Sequence, residues 1–201
     1  NNDILNENEL KKYIDFDCNV AFYKSIDSTN NEAKRIITDG DTKPLLVVGE
    51  EQTAGRGRQG KSFYSPAKTG IYMSLVVHPM AKLQNAVTAT TAASVAVCKA
   101  IEKLTDITPQ IKWVNDVYVD GKKICGILTE AVTNFETQTV ESVVIGIGVN
   151  LKTHSFPSDV QNAACLEAPV KRAEFIATVA NELNGIVTGD YSTFIDYYRS
   201  H

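Results

Sequence analysis

Strand-length apolar runs alternate with helical patterns along this chain, but without the regular βαβ rhythm that builds a parallel sheet. Residues 5–14 space their apolar side chains as a short helix does, and 20–23 reads as a strand. Asp27-Ser28-Thr29-Asn30 offers several helix N-caps in succession, so a helix is expected from there to Gly40. Residues 44–50 (Pro-Leu-Leu-Val-Val-Gly-Glu) have the length and composition of an interior strand, and 71–78 form another, closed by Pro79. Between them, 52–70 is a polar loop carrying Gly55, Gly57, Gly60 and Gly70. The longest helix is expected over 83–104, where Ala, Thr and Ser permit close packing on a sheet. It lacks the roughly 18 uninterrupted apolar residues of a membrane span and reads as a buried helix. Residues 111–119 predict a strand pair or one bent strand, 122–133 and 140–149 a hairpin around an acidic loop, and 169–187 and 191–200 two helices. No internal repeat or Pro/Gly/Ser-rich linker divides residues 1–201, so one domain is expected. The expected class is α/β of the α+β type, a mixed β-sheet flanked by helices.

Composition narrows the function. Of 201 residues 43% are hydrophobic and 22% charged, enough apolar material for a core and too little polarity for disorder. Lys plus Arg number 20 against 24 Asp plus Glu, a net charge of −4, the reverse of the basic excess that a dedicated nucleic-acid binder carries. The four cysteines (Cys18, Cys98, Cys125, Cys165) and three histidines (His78, His154, His201) are scattered, with no metal-ligand spacing, so isolated reduced thiols and no protein-bound metal are expected. The sequence opens on no signal peptide, and Asn1 in place of Met suggests a trimmed chain; the cytoplasm is the expected location.

Gly55-Arg56-Gly57-Arg58-Gln59-Gly60 matches G-x-G-x-x-G. A dinucleotide site needs a helix to open directly after that pattern, and Lys61-Ser62-Phe63-Tyr64-Ser65-Pro66 continues as loop, so a Rossmann site is rejected. What remains is backbone that can approach a ligand closely, with two guanidiniums to face an anion. A solvated basic turn explains the same residues equally well.

Three further segments each carry a chemical and a plain structural explanation. Lys112-Trp113-Val114-Asn115-Asp116 gathers a cation, an indole, an amide and a carboxylate, or is simply a turn. Gly121-Lys122-Lys123-Ile124-Cys125-Gly126-Ile127-Leu128 sets two lysines before an apolar strand, or is a hairpin turn with solvated lysines. Gly146-Ile147-Gly148-Val149-Asn150 ends a strand on glycines and an amide, which marks close approach of a ligand, or a bulge.

Taken in order over residues 27–150, these segments resemble the biotin protein ligase family, whose members show a D-S-T-N helix start, a G-R-G-R-x-G loop, a K-W-P-N-D segment, a K-x-x-G-I-L strand and a G-x-G-x-N strand end. The resemblance implies a fold similar to the catalytic domain of class II aminoacyl-tRNA synthetases. It also implies two reactions: biotin and ATP with Mg2+ give biotinyl-5′-AMP and pyrophosphate, then the acyl group passes to a lysine on the biotin carrier domain of a carboxylase. Carried over residue by residue, Ser28, Thr29 and Gln52 would hold the ureido head of biotin, with Asn30 adjoining. Arg56, Gly57, Arg58, Lys123 and Gly126 would line the rest of its path. Gly55, Arg56, Arg58, Trp113, Asn115 and Asn150 would bind the nucleotide. Arg56, Arg58, Lys112 and Lys123 would supply the cations that join two anions, and Asp116 would orient or deprotonate the incoming lysine. A mixed anhydride hydrolyses in water, so the loop is expected to order over it.

Val114 stands where the family pattern has Pro, which restores an N–H and frees one φ angle. Relatives continue past the 197–200 region into a small β-barrel where only His201 follows here, so either the chain is trimmed or this member lacks the module. Some relatives precede the core with a DNA-binding domain, which is not expected here, so a DNA partner is not expected, nor is a membrane contact, and homodimerisation is left open. A lipoyl or octanoyl ligase is the enzymatic rival, and a biotin-binding module without turnover the non-enzymatic one.

Overall fold

Seven strands form one sheet among the residues that the computed structural model describes, which are 3–37, 43–78, 86–112, 116–134, 136, 139–152, 156–158, 163–189 and 191–201. They are β1 (Asn19–Tyr23), β2 (Leu45–Gly49), β3 (Gly70–Val77), β4 (Gln110–Lys112), β5 (Asp116–Val119), β6 (Lys122–Asn134) and β7 (Thr139–Asn150), in the spatial order β1-β2-β3-β7-β6-β5-β4. Only β1 and β2 run parallel; every other pair is antiparallel, so the sheet is mixed, as expected.

Among the described residues five α-helices accompany the sheet: α1 (Glu7–Tyr13), α2 (Thr29–Ile36), α3 (Ala86–Leu104), α4 (Arg172–Thr188) and α5 (Tyr191–Ser200). Strand alternation sorts the sheet into two faces. Leu75, Ile145, Ile147 and Val149 point to the face under α3 and α4, where they join the large core with Val97, Ile101, Phe175 and Leu183. Each such side chain contributes about 1.5–3 kcal/mol by leaving water. The opposite face carries the smaller cluster of Ala33, Leu45, Val47, Val76 and Val144 under α2. Beyond α2 that face also presents the even-numbered positions Ser74, Gly146 and Gly148, which build the site described below.

Boundaries follow local chemistry. Asn6 caps α1 by accepting the Glu9 N–H at 2.8 Å. Of the four candidates at 27–30, Ser28 is the cap of α2, accepting the Asn31 N–H at 3.3 Å, while Asp27 grips Arg35. The helix expected to run to Gly40 stops at Ile36, because Ile37 leaves the helical region (ψ 123°) as its C-cap, and the extension of α3 back to residue 83 falls on 79–85, outside the described residues. The helix expected from 169 begins at Arg172, because Asp3 and Glu50 hold that guanidinium at 2.9 and 2.7 Å and Asp3 also accepts its backbone N–H.

Candidate active site

The loop between β2 and β3 is more ordered than its composition suggests. Gly55 and Phe63, Arg56 and Ser62, and Gly57 and Lys61 pair antiparallel, making a small hairpin with Arg58–Gly60 as a 3-10 turn at its tip. Gln59 (φ 56°) and Gly60 (φ 72°) turn the chain there in the left-handed region. Gly55 is needed for closure: a Cβ would lie 2.5 Å from the Phe63 carbonyl and 2.6 Å from the Ser65 hydroxyl. The far end is moored by the Tyr72 hydroxyl, which donates to the Pro66 carbonyl at 2.7 Å.

This hairpin roofs a cavity of about 420 Å³ over the α2 side of the sheet. Ser28, Thr29, Asn30 and Gln52 line one end; Arg56, Gly57, Arg58, Asp116 and Lys123 line the other; Gly126, Gly146 and Gly148 form the floor. Gly126 lies directly across from Gly148 on β6 and β7, and Gly146 is next on that face of β7, so these three positions put no side chain of their own on the sheet. The Phe63 ring and the Asn30 amide rest there: a Cβ on Gly148 would come within 2.5 Å of the ring, and one on Gly146 would collide with Asn30.

The α2 end is neutral and tightly bonded. The Ser74 hydroxyl lies 2.6 Å from the Asn30 Oδ1 and 2.7 Å from the Thr29 Oγ1. An amide oxygen only accepts, so the Ser74 proton points to Asn30 and the Thr29 hydroxyl donates to Ser74. Thr29 therefore turns a lone pair to the cavity, while Ser28, whose oxygen caps α2, has its proton to give. Gln52 is clamped at both ends: its Oε1 accepts the Thr29 N–H at 2.9 Å and its Nε2 donates to Ser65 at 2.9 Å. Asn30 donates to the Leu128 carbonyl at 3.2 Å and to Glu130 at 3.0 Å, which occupies both amide hydrogens within the protein.

The loop end is charged. Arg58 meets the Asp116 Oδ2 at 2.8 Å, and Lys123 reaches the same oxygen at 3.3 Å. Arg56 pairs at 2.5 Å with Glu130, which also receives Lys34 at 2.9 Å. Burial alone would raise the Glu130 carboxyl; Lys34, Asn30 and Arg56 hold it below its ordinary value. The main chain of Lys123 is fixed by a strap from later in the sequence: Lys123 bridges to Ala163, its carbonyl accepts the Ala164 N–H at 3.0 Å, and the Asn150 carbonyl accepts the Leu166 N–H at 2.8 Å.

Ser28, Thr29, Asn30, Gln52, Arg56, Gly57, Arg58, Asp116, Lys123 and Gly126 are thus brought to one cavity from five separate segments. Gly55 shapes the hairpin without lining the cavity, and Lys112 lies just outside, its ammonium 4.6 Å over the ring of Tyr118, which does line it. Asn150 sits at the end of β7, buried, with its Oδ1 lacking a hydrogen-bond partner among the described residues. Trp113, Val114 and Asn115 lie outside the described residues. Ser65, Ser74, Phe63, Tyr118 and Glu130 were not expected. A lone Ser in the apolar run 71–77 and a lone acid in 127–131 are the signals that mark two of them. No thiol is poised as a nucleophile among the buried cysteines: burial pushes Cys98 up to about 12 and raises Cys125 as well. Among the described residues no three His, Cys, Asp or Glu side chains gather as metal ligands, and no helix is long and apolar enough to cross a membrane.

Known proteins share both sequence and fold. The bifunctional ligase/repressor BirA of Bacillus spizizenii is 40% identical over 141 residues, covering 69% of this chain and 43% of that protein. A biotin–[acetyl-CoA-carboxylase] ligase of Paracoccus denitrificans is 35% identical over 127 residues, 62% of this chain and 51% of its own. The chain thus spans about half the length of the curated relatives it matches. A biotin protein ligase from Aquifex aeolicus, solved with biotin and ATP, superposes with a TM-score of 0.72 at 24% identity over 90% of this chain and 76% of that one. One from Leishmania major, solved with biotinyl-5-AMP, gives 0.75 at 22% identity over 90% and 80%. The fold is therefore that of biotin protein ligases, similar to class II aminoacyl-tRNA synthetases, as expected. The family model for biotin/lipoate A/B protein ligases matches residues 22–150, the stretch that contains the hairpin, the bare glycine floor and both charged clusters, and the chain belongs to the biotin/lipoate A/B protein ligase family.

Proposed function

We propose that this chain is the catalytic unit of an ATP-dependent biotin protein ligase. The observation that carries the proposal is the division of one cavity into a neutral, hydrogen-bonded end and a cationic end under a single hairpin. A bicyclic urea suits the first. Its carbonyl would accept the Ser28 proton, and its N–H groups would donate to the Thr29 lone pair and the second lone pair of the Gln52 Oε1. Such buried groups reject a ligand that leaves them unpaired. Asn30 supports this end from beneath.

At the cationic end, the biotin carboxylate would attack the α-phosphorus of ATP, and the bond to pyrophosphate would break. Two anions must meet, so the barrier falls through fixed positive charge and alignment, with no protein nucleophile. Arg56 and Arg58 on the hairpin and Lys123 on β6 would hold the carboxylate and α-phosphate, with Lys112 neutralising phosphate charge. Gly57 and Gly126 would let the ligand lie against backbone. Gly55, Trp113 and Asn115 complete the proposed nucleotide side, with Asn150 offering the adenine amine the oxygen that has no partner among the described residues. Mg2+ would arrive with the nucleotide. In the second step a carrier lysine attacks the acyl carbon and AMP leaves; Asp116, shared by Arg58 and Lys123, both aligns those cations and orients the amine. The protein partner is the biotin carrier domain of a carboxylase. A cytoplasmic setting, where free thiols stay reduced, accompanies this proposal.

The test is ATP–pyrophosphate exchange. Biotin-dependent exchange supports the ligase; exchange driven by lipoate instead would transfer the chain to the other branch of its family. Biotin binding with no exchange under any condition would make it a binding module and overturn the proposal.

A further inference from the structure

Glu130, on β6 beside the cavity and outside the motif segments, is met by two separate elements, α2 and the hairpin. Alternation along β6 puts it on the same face as Gly126 and Leu128, both of which line the cavity. Its Oε1 accepts from the Arg56 Nη2 at 2.5 Å and from the Asn30 Nδ2 at 3.0 Å, and its Oε2 from the Lys34 ammonium at 2.9 Å. Asn30 is itself fixed by Ser74 and the Leu128 carbonyl, so it offers the carboxylate a donor that is already held in place. With two cations and one acid, the cluster retains a net positive charge at the cavity wall. The bond to Glu130 uses Nη2 and leaves the other guanidinium N–H groups of Arg56 for a ligand.

We infer that Glu130 is a positioning residue: it holds the Arg56 guanidinium at the cavity wall in the orientation that receives an anionic ligand, and Asn30 and Lys34 hold Glu130 in turn. This rests on the function proposed above, since it names the group that prepares one of its cations. An unrestrained arginine on a loop must surrender side-chain freedom when it binds an anion, and a carboxylate behind it removes that cost beforehand. A carboxylate that orients a metal-binding histidine works by the same logic.

The experiment compares each charged ligand with its neutral counterpart, biotin against biotinol and ATP against adenosine, by calorimetry on the full chain. Glu130→Gln keeps the shape and the acceptor for Asn30 and removes the charge. The expected result is about a tenfold weakening of the anionic member of at least one pair, with its neutral counterpart unchanged within about twofold. In an Arg56→Ala background the same substitution is expected to have no further effect. Should Glu130→Gln fail to fold, Lys34→Ala on the exposed side of the cluster serves instead, with a smaller loss confined to the same anionic ligand. Equal binding of all four ligands by variant and parent overturns the inference, as does an equal loss for charged and neutral members, which is the signature of a general structural role. A parent protein that binds neither biotin nor biotinol overturns the functional proposal itself, a separate outcome.

Discussion

The two ends of the cavity are built on opposite principles. At the α2 end, Thr29, Asn30, Gln52, Ser65 and Ser74 form a neutral network in which nearly every donor and acceptor is already spoken for, and all of them but the half-buried Gln52 are buried. At the loop end, Arg56, Arg58 and Lys123 are a third or more exposed and are held by ion pairs to Glu130 and Asp116. A neutral buried network is rigid because breaking one bond strands a partner without water to replace it. A half-exposed ion pair is worth little net and is readily exchanged for another anion. Under the proposed function the contrast assigns recognition to the fixed end and, to the exchangeable end, charge that would appear and leave during a reaction.

Substitutions can break that contrast. The largest effect is expected at Arg58, on the tip of the hairpin. Arg58→Gly should leave the fold intact but release the activated intermediate, so that labelling of bystander lysines rises about tenfold or more in a mixture of carrier and unrelated proteins. Unchanged selectivity for the carrier would remove the hairpin from the site. Next come the floor glycines. Gly146→Ala drives a methyl group into an Asn30 amide that cannot move, and about 2–3 kcal/mol of destabilisation is expected in urea unfolding. Gly148→Ala meets the Phe63 ring, which belongs to the hairpin and can swing aside, so the loss should be about 1 kcal/mol or less in stability and appear as weaker ligand binding. If both cost the same stability, the distinction between a fixed and a yielding end fails.

Ser74→Ala removes the hydroxyl that ties Thr29 to Asn30 and should cost about 1–2 kcal/mol, read by the same unfolding curves. The smallest effect concerns pH. Because the Glu130 carboxyl titrates below its ordinary 4.5 in the folded chain, its ion pairs stabilise the protein fully above that pH and fade as pH falls below it. Glu130→Gln should therefore flatten the acid side of the stability profile, by about 1 kcal/mol at most between about pH 6 and pH 3. A variant whose profile is as steep as the parent's would mean that other carboxylates govern the acid transition.

Much of this was legible in the linear pattern, for reasons that are local. Apolar runs at 44–50 and 71–78 could only be strands, and the described parts of the expected helices differ from the structure by a few terminal residues, where caps decide. The hairpin of 55–63 was not legible, because glycines and arginines give no periodic signal and its pairing depends on Gly55 admitting the Phe63 carbonyl. Glu130 and Ser74 stood out only as polar residues in apolar strands; what they bond to lies 44 to 100 positions away in the sequence.

The order and identity of the motif residues, the strand and helix periods and the scarcity of clustered ligands were properties of the chain itself, since each depends on neighbours within a few residues. Which carboxylate faces which arginine, which amide is consumed inside the protein, and which glycines clear the floor were decided when β6 and β7 aligned and the hairpin folded over them. Those contacts depend on register between distant segments, and register is fixed by the whole sheet burying one face at once.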